Sequence, residues 1–308
     1  MKKFSFLLLT FAVALVARAE LSFVAIGDWG RDGKDGQKEN AVQMGETAAK
    51  LHSRFVLSLG DNFYDYGVKS LTDSQWKTSF EDIYTAPSLR TPWYVALGNH
   101  DYKTSVQAQI NYSKTSDRWR MPARYYTWTE TVDEKTTAQF FCIDTSPFIL
   151  AYRAAGQSYG DVSKQDPKKQ LPWLEKELSA SKAPWKIVFG HHPVYSAGTK
   201  HGDTAELVVN LKPLLEKYGV QLYLAGHEHD LQYLRDGGPV HYFVSGAGSD
   251  VRGTGKNART IFSNGEISGF LALRLTAISA HAEFIDRNGR ALYATDVSVQ
   301  PAAAVPSK

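Results

Sequence analysis

Seven side chains able to hold metal ions cluster around the ends of five short apolar runs in this sequence. The runs read LSFVAIGD (Leu21–Asp28), RFVLSLGD (Arg54–Asp61), PWYVALGN (Pro92–Asn99), WKIVFGH (Trp185–His191) and VQLYLAGH (Val220–His227). Each closes on glycine followed by Asp, Asn or His. Adding the neighbouring Tyr64 and His229 gives Asp28, Asp61, Tyr64, Asn99, His191, His227 and His229. Two carboxylates, a phenol, an amide oxygen and three imidazoles suit hard or borderline cations of charge two or three, not thiolate-loving metals. Seven ligands exceed the usual need of one first-row ion and suit two ions sharing a carboxylate, for which Asp61 is the candidate. In His227-Glu228-His229 an extended backbone puts both imidazoles on one side.

The elements that must deliver these groups can be read from the same runs. Each run is β-branched and aromatic-rich, as expected of a strand buried on both faces. The glycine lets the chain turn off the strand, and the next side chain arrives at the strand's carboxyl end, where open α/β sheets place their ligand sites. Helices are predicted between the strands: Gln37 to Leu51, a capped segment from Thr72 through Tyr84, Asp166-Pro167 to about Ser179, and Thr204 to Tyr218 with a kink near Pro213. Beyond His229 the pattern is all-β, over His241–Gly246, Phe270–Thr276, Ala280–Asp286 and Ala291–Val299, with a turn at Arg287-Asn288-Gly289 joining the last two. The expected fold class is α/β (α+β), with two packed sheets and helices outside. Phe148–Gln170 reads as a mobile loop over one face, and 300–308 as a disordered tail.

Composition excludes several other classes. The chain has 308 residues, 43% hydrophobic and 22% charged, which is enough to bury a large core. Its single cysteine, Cys142, rules out an internal disulfide, a cysteine-rich zinc module and an iron–sulfur site, and reads as a buried small hydrophobe. Lys2 and Lys3, an apolar run from Phe4 to Val16 and Ala17-Arg18-Ala19 read as a cleavable secretory leader (residues 1–19), cut between Ala19 and Glu20. The run is too short to span about 30 Å of hydrocarbon, so no membrane association is expected after cleavage. Removing the leader's three basic residues from 35 leaves 32, against 32 acidic side chains. That balance lacks the electrostatic footprint of nucleic-acid binding. A secreted or periplasmic location follows. His227-Glu228 does not extend to a zinc-protease HExxH, because position 231 is Leu. No G-x-S-x-G elbow is present.

The motifs Gly27-Asp28-Trp29-Gly30, Gly60-Asp61-Asn62-Phe63-Tyr64, Gly98-Asn99-His100-Asp101, Gly190-His191 and Gly226-His227-Glu228-His229 together resemble those of the metallophosphoesterases. More narrowly they are similar to the small purple acid phosphatases, the group containing the mammalian tartrate-resistant acid phosphatases. The likeness runs through almost all of residues 20–299. It implies one catalytic domain there, built as a four-layer sandwich of two mixed β-sheets flanked by helices. Position 30 is Gly where most metallophosphoesterases carry the histidine of an Asp-x-His motif, and Tyr64 makes good the missing ligand. A phenol of pKa ~10 ionises at acid pH only on a strong Lewis acid, a demand Fe(III) meets better than Zn(II).

The resemblance implies that Asp28, Tyr64 and His229 hold Fe(III), that Asp61 bridges, and that Asn99, His191 and His227 hold a divalent Fe, Zn or Mn ion. It further implies that His100 contacts phosphate, with Asp101 orienting it or a nearby ligand. His201 would contact phosphate or protonate the leaving group. His192 stands where the mammalian proteins have Tyr and receives no role. Phe148–Gln170, the counterpart of their disulfide-bearing regulatory loop, has no cysteine. The implied activity is hydrolysis of phosphate monoesters, small molecules or phosphoproteins, by hydroxide generated at a binuclear Fe(III)–M(II) centre. The alternatives are a divalent-only zinc or manganese phosphodiesterase or protein phosphatase, and a non-hydrolytic iron-binding or redox protein.

Overall fold

The computed structural model describes residues 20–299. The leader and the tail read from the sequence lie outside the described residues. In chain order the strands are β1 (Leu21–Ile26), β2 (Phe55–Ser58), β3 (Trp93–Val95), β4 (Trp119–Arg120), β5 (Tyr126–Thr131), β6 (Thr137–Cys142) and β7 (Trp185–Phe189). They continue with β8 (Leu222–Ala225), β9 (Leu231–Leu234), β10 (His241–Ser245), β11 (Thr260–Asn264), β12 (Gly269–Leu275), β13 (Ser279–Asp286) and β14 (Ala291–Ser298). The α-helices are α1 (Gln37–Leu51), α2 (Val106–Tyr112), α3 (Leu150–Ala154), α4 (Pro167–Ala180), α5 (Ala205–Asn210) and α6 (Lys212–Lys217).

The strands form two seven-stranded mixed sheets. One has the order β14-β13-β12-β1-β2-β3-β4, parallel from β1 to β4 and antiparallel beyond. The other has the order β11-β9-β10-β8-β7-β6-β5, parallel from β6 through β10 and antiparallel at both margins. Side chains alternate between two buried environments, as the period of a strand requires. Phe23, Ala25, Phe55 and Leu57 of the first sheet meet Ile187, Phe189, Leu222 and Leu224 of the second in the central core. Val24, Ile26 and Val56 face outward under α1 through Ala41, Met44 and Ala48. Val188, Tyr223 and Val244 are covered by Leu174 and Leu178 of α4, Leu207 of α5 and Leu215 of α6. Helix, sheet, sheet and helix make the four expected layers, and Cys142 is buried in the core between the two sheets.

Three local departures have physical reasons. The predicted helix over Thr72–Tyr84 shrinks to Trp76–Glu81, where the chain winds wider and Asp82 donates to the Lys77 carbonyl. The segment Thr204–Tyr218 breaks at Leu211 into α5 and α6, because Pro213 lies in the first turn of α6, where a missing N–H costs nothing. Phe148–Gln170 is not one irregular loop. It folds into α3, short helical turns at Gly156–Tyr159 and Val162–Lys164, and the start of α4, where the Asp166 side chain accepts from the Lys168 N–H.

Candidate metal centre

All five strand ends meet at one edge of the sandwich. The Asp28 N–H donates to the Gly60 carbonyl (3.0 Å), and the Gly27 N–H to the Ser245 carbonyl (2.8 Å), tying β1 to β2 and across to β10 of the other sheet. Asp28, Asp61 and His227 all have left-handed backbone, with φ of 60°, 49° and 70°. Non-glycine residues rarely adopt it, and such strain persists where the surroundings over-determine a functional geometry. Gly98 is required by close approach, because a Cβ there would collide with the Asp61 amide and carboxylate. Gly30 is equally constrained: a Cβ would strike the Asn62 carbonyl, and its own carbonyl accepts from the Tyr64 N–H (2.8 Å). Position 30 therefore has no room for a histidine while Tyr64 occupies its place.

The Tyr64 hydroxyl is 2.9 Å from Asp28 Oδ1, 3.0 Å from Asp61 Oδ2 and 3.0 Å from His229 Nε2. On the other side of Asp61, Oδ2 lies 3.4 Å from His191 Nε2, which is 3.2 Å from both Asn99 Oδ1 and His227 Nδ1. His191 Nδ1 is 2.9 Å from the Leu59 carbonyl and donates to it, so once the ring is neutral its Nε2 presents a lone pair to the cluster. The sequence-derived set is thus assembled in two groups sharing Asp61 Oδ2. His192, assigned no role from the sequence, also lies in the second group. Its ring nitrogen comes within 4.8 Å of donor atoms of His191 and His227.

The donor chemistry fits two cations. Lone pairs converge here with too few protons to join them. Without a cation the site must hold protons instead: burial pushes the Asp28 carboxyl up to about 8, against the pull of His191. Burial acts on Asp61 too, but His191 and His100 outweigh it and hold that carboxyl well below the usual range. Burial and the two carboxylates drive the Tyr64 phenol well above its ordinary value. Only a strong Lewis acid would make it a phenolate. His229 is held down to about 2 by burial and then by Arg252, and burial among other histidines lowers His227, so both imidazoles are neutral and free to ligate.

A cleft of about 290 Å³ opens onto Asp61, Asn99, His227 and His229. His100 and His201 line it as expected. His100 donates its backbone N–H to Asp61 Oδ1 (2.7 Å), and its ring lies 4.5 Å from that of Tyr64. Its Nδ1 meets the Asp65 carbonyl (2.7 Å). Asp101 does not orient the His100 ring. It accepts from the Gly98 N–H (2.8 Å), the Asn62 N–H (3.1 Å) and Gln109 Nε2 (2.8 Å), locking together the loops that carry Asp61 and Asn99. The His201 ring is 4.2 Å from that of His227, and burial, then Lys200 and Arg252, lowers its pKa to about 4. Glu228 fixes this loop, its carboxylate accepting from the N–H groups of His201 (3.0 Å) and Gly202 (2.8 Å). Lys200, Arg252, Tyr152 and Tyr159 also line the cleft. Sequence reasoning missed these four, since each sits on a loop or short helix whose approach is set by tertiary packing.

The model of the calcineurin-like phosphoesterase family matches residues 21–231. Purple acid phosphatase 4 of Arabidopsis thaliana is 39% identical over 290 residues, covering 90% of this chain and 84% of that protein. Tartrate-resistant acid phosphatase type 5 of Mus musculus is 35% identical over 306 residues, covering 91% of each. The chain belongs to the purple acid phosphatases. As a purple acid phosphatase it is a hydrolase, a metal-dependent phosphoesterase acting on phosphate esters, and its family works with a binuclear metal centre. Among solved structures, "GAP50 the anchor in the inner membrane complex of Plasmodium" is similar to this phosphatase with a TM-score of 0.81 at 28% identity, covering 92% of this chain and 90% of that one. No helix among the described residues of the enzyme is long and apolar enough to cross a membrane.

Proposed function

We propose that this protein is a secreted acid phosphatase that hydrolyses phosphate monoesters at a binuclear Fe(III)–M(II) centre, with residues 20–299 as its catalytic domain. In this reading Asp28, Tyr64 and His229 hold Fe(III), Asp61 bridges, and Asn99, His191 and His227 hold a divalent Fe, Zn or Mn ion. The observation that carries it is the Tyr64 hydroxyl within 3.0 Å of Asp28, Asp61 and His229. When bound, the ions supply Lewis-acid activation of water and charge for the phosphate oxygens.

The chain's own residues then do the positioning on which phosphoryl transfer mainly depends. His100, anchored through its backbone to Asp61, and His201, anchored through Glu228, face a bound phosphate from the cleft wall. Lys200 and Arg252 add positive charge there. With its pKa near 4, His201 is neutral through most of the acid range and serves as a hydrogen-bonding partner. It would protonate a leaving alcohol only where bound phosphate raises that value.

A divalent-only phosphodiesterase is disfavoured by the crowded Gly30 and by the buried phenol in its place. The Plasmodium protein's description as an anchor suggests a second, non-hydrolytic reading, which the buried cluster of Asp28, Asp61, His191 and His227 here argues against. The test is metal analysis with turnover of p-nitrophenyl phosphate. Asp61→Ala should lose both ions and at least about a thousandfold in rate, since charge stabilisation supplies most of the acceleration. Normal turnover in folded Asp61→Ala would sink the bridging assignment.

A further inference from the structure

Thr145, His192 and Tyr152 form a hydrogen-bonded chain running from the end of β6 into the cleft, and its direction can be read. Thr145 Oγ1 accepts the backbone N–H groups of His192 (3.0 Å) and His191 (3.3 Å). With both lone pairs engaged, the hydroxyl must donate its own hydrogen to His192 Nδ1, 2.8 Å away. A neutral imidazole accepting at Nδ1 carries its hydrogen on Nε2, and Nε2 lies 3.3 Å from the Tyr152 hydroxyl. The Tyr152 oxygen is therefore an acceptor. Its own hydrogen meets no other protein partner among the described residues. Tyr152 lines the cleft beside Asn99, His201 and His227, its ring stacked on Tyr159 at 4.2 Å between centroids.

We propose that Tyr152 is a substrate-binding residue of this phosphatase, its hydroxyl donating a hydrogen bond to an oxygen of the bound phosphate ester, and that His192 and Thr145 position it. The inference rests on the phosphomonoesterase reading. It gives His192 a role that needs no metal: the imidazole turns Tyr152 into an obligatory donor towards the cleft. α3 thereby becomes part of the substrate site, although its residues lie far in sequence from the ligands.

The experiment is calorimetric titration of the metal-holding protein with inorganic phosphate at acid pH, alongside kcat and KM for p-nitrophenyl phosphate. Loss of a hydrogen bond to a charged oxygen predicts roughly tenfold weaker phosphate binding in Tyr152→Phe, with KM raised more than kcat falls. Metal content should not change. His192→Phe should match Tyr152→Phe, His192→Gln, which keeps an N–H donor, should recover part of the loss, and the double variant Tyr152→Phe/His192→Phe should be no worse than either single one. Unchanged phosphate affinity in Tyr152→Phe overturns the proposal, as does loss of metal in His192→Phe accompanied by an unaffected Tyr152→Phe. Wild-type protein that holds its metals and binds no phosphate overturns both this proposal and the functional reading beneath it.

Discussion

Asp61 is the residue on which the two halves of the candidate centre depend. Its Oδ2 faces both Tyr64 and His191, and its Oδ1 accepts the His100 N–H, so one carboxylate joins both ligand groups and the first cleft histidine. Glu228 plays a comparable part for the second cleft histidine. Glu228→Ala removes the acceptor of the His201 and Gly202 N–H groups, and kcat/KM for phosphomonoesters should fall about fivefold or more with the metals retained. An unchanged kcat/KM would mean that His201 contributes nothing to substrate binding. The seven ligand candidates were legible in the sequence because each lies within four residues of a strand-ending glycine. Tyr152, His192, Lys200 and Arg252 were not, because no local spacing marks a residue that reaches the cleft from a distant loop. His192 was in plain view beside His191, but only its contacts with Thr145 and Tyr152 give it a direction.

At the scale of elements, the five ligand-bearing strands and α1 stood out because their patterns are strong: runs buried on both faces, and a helix with one apolar side. β5 and β11 escaped because they are margin strands with polar, partly exposed faces. The Pro213 kink was legible since proline acts locally. The short helices of 148–170 were not, because their order depends on packing against the site. The inner strands also carry the mechanical link between the sheets. Phe140 of β6 stacks on Trp128 and meets Phe23 and Phe55 of the opposite sheet edge-on, at 5.4 and 5.2 Å. Phe140→Ala should cost about 3–5 kcal/mol of unfolding free energy, measurable by denaturant titration. A cost below about 1 kcal/mol would mean that the sheets do not depend on this contact.

Across the whole molecule, burial of ionisable groups sets a pH dependence. Burial raises Asp28 to about 8 and Asp101, Asp144 and Asp230 to about 7, while Asp61 and Asp28 overcome burial to raise His191 to about 9. From pH 6.5 to 9 the folded, metal-free chain therefore holds more protons than the unfolded chain, whose carboxyls and histidines have already released theirs. Stability must fall as pH rises through that window. Below pH 6.5 the buried His192, His227 and His229 and the cleft-lining His201, all lowered chiefly by desolvation, act in the opposite sense and offset the carboxyls. Chelator-treated protein should unfold at lower denaturant concentration at pH 9 than at pH 6.5. Equal midpoints would contradict the assigned protonation of the buried groups.

The most direct test of the Fe(III) assignment is the visible absorption spectrum of the purified protein before and after Tyr64→Phe. A phenolate on Fe(III) gives a charge-transfer band and a purple colour. That band should be present in the wild type and lost in Tyr64→Phe, with iron detected in the wild type by metal analysis. A colourless wild-type protein with two metals per chain and full phosphatase activity would contradict it, moving the enzyme to a divalent-only centre and returning Tyr64 to an ordinary buried tyrosine.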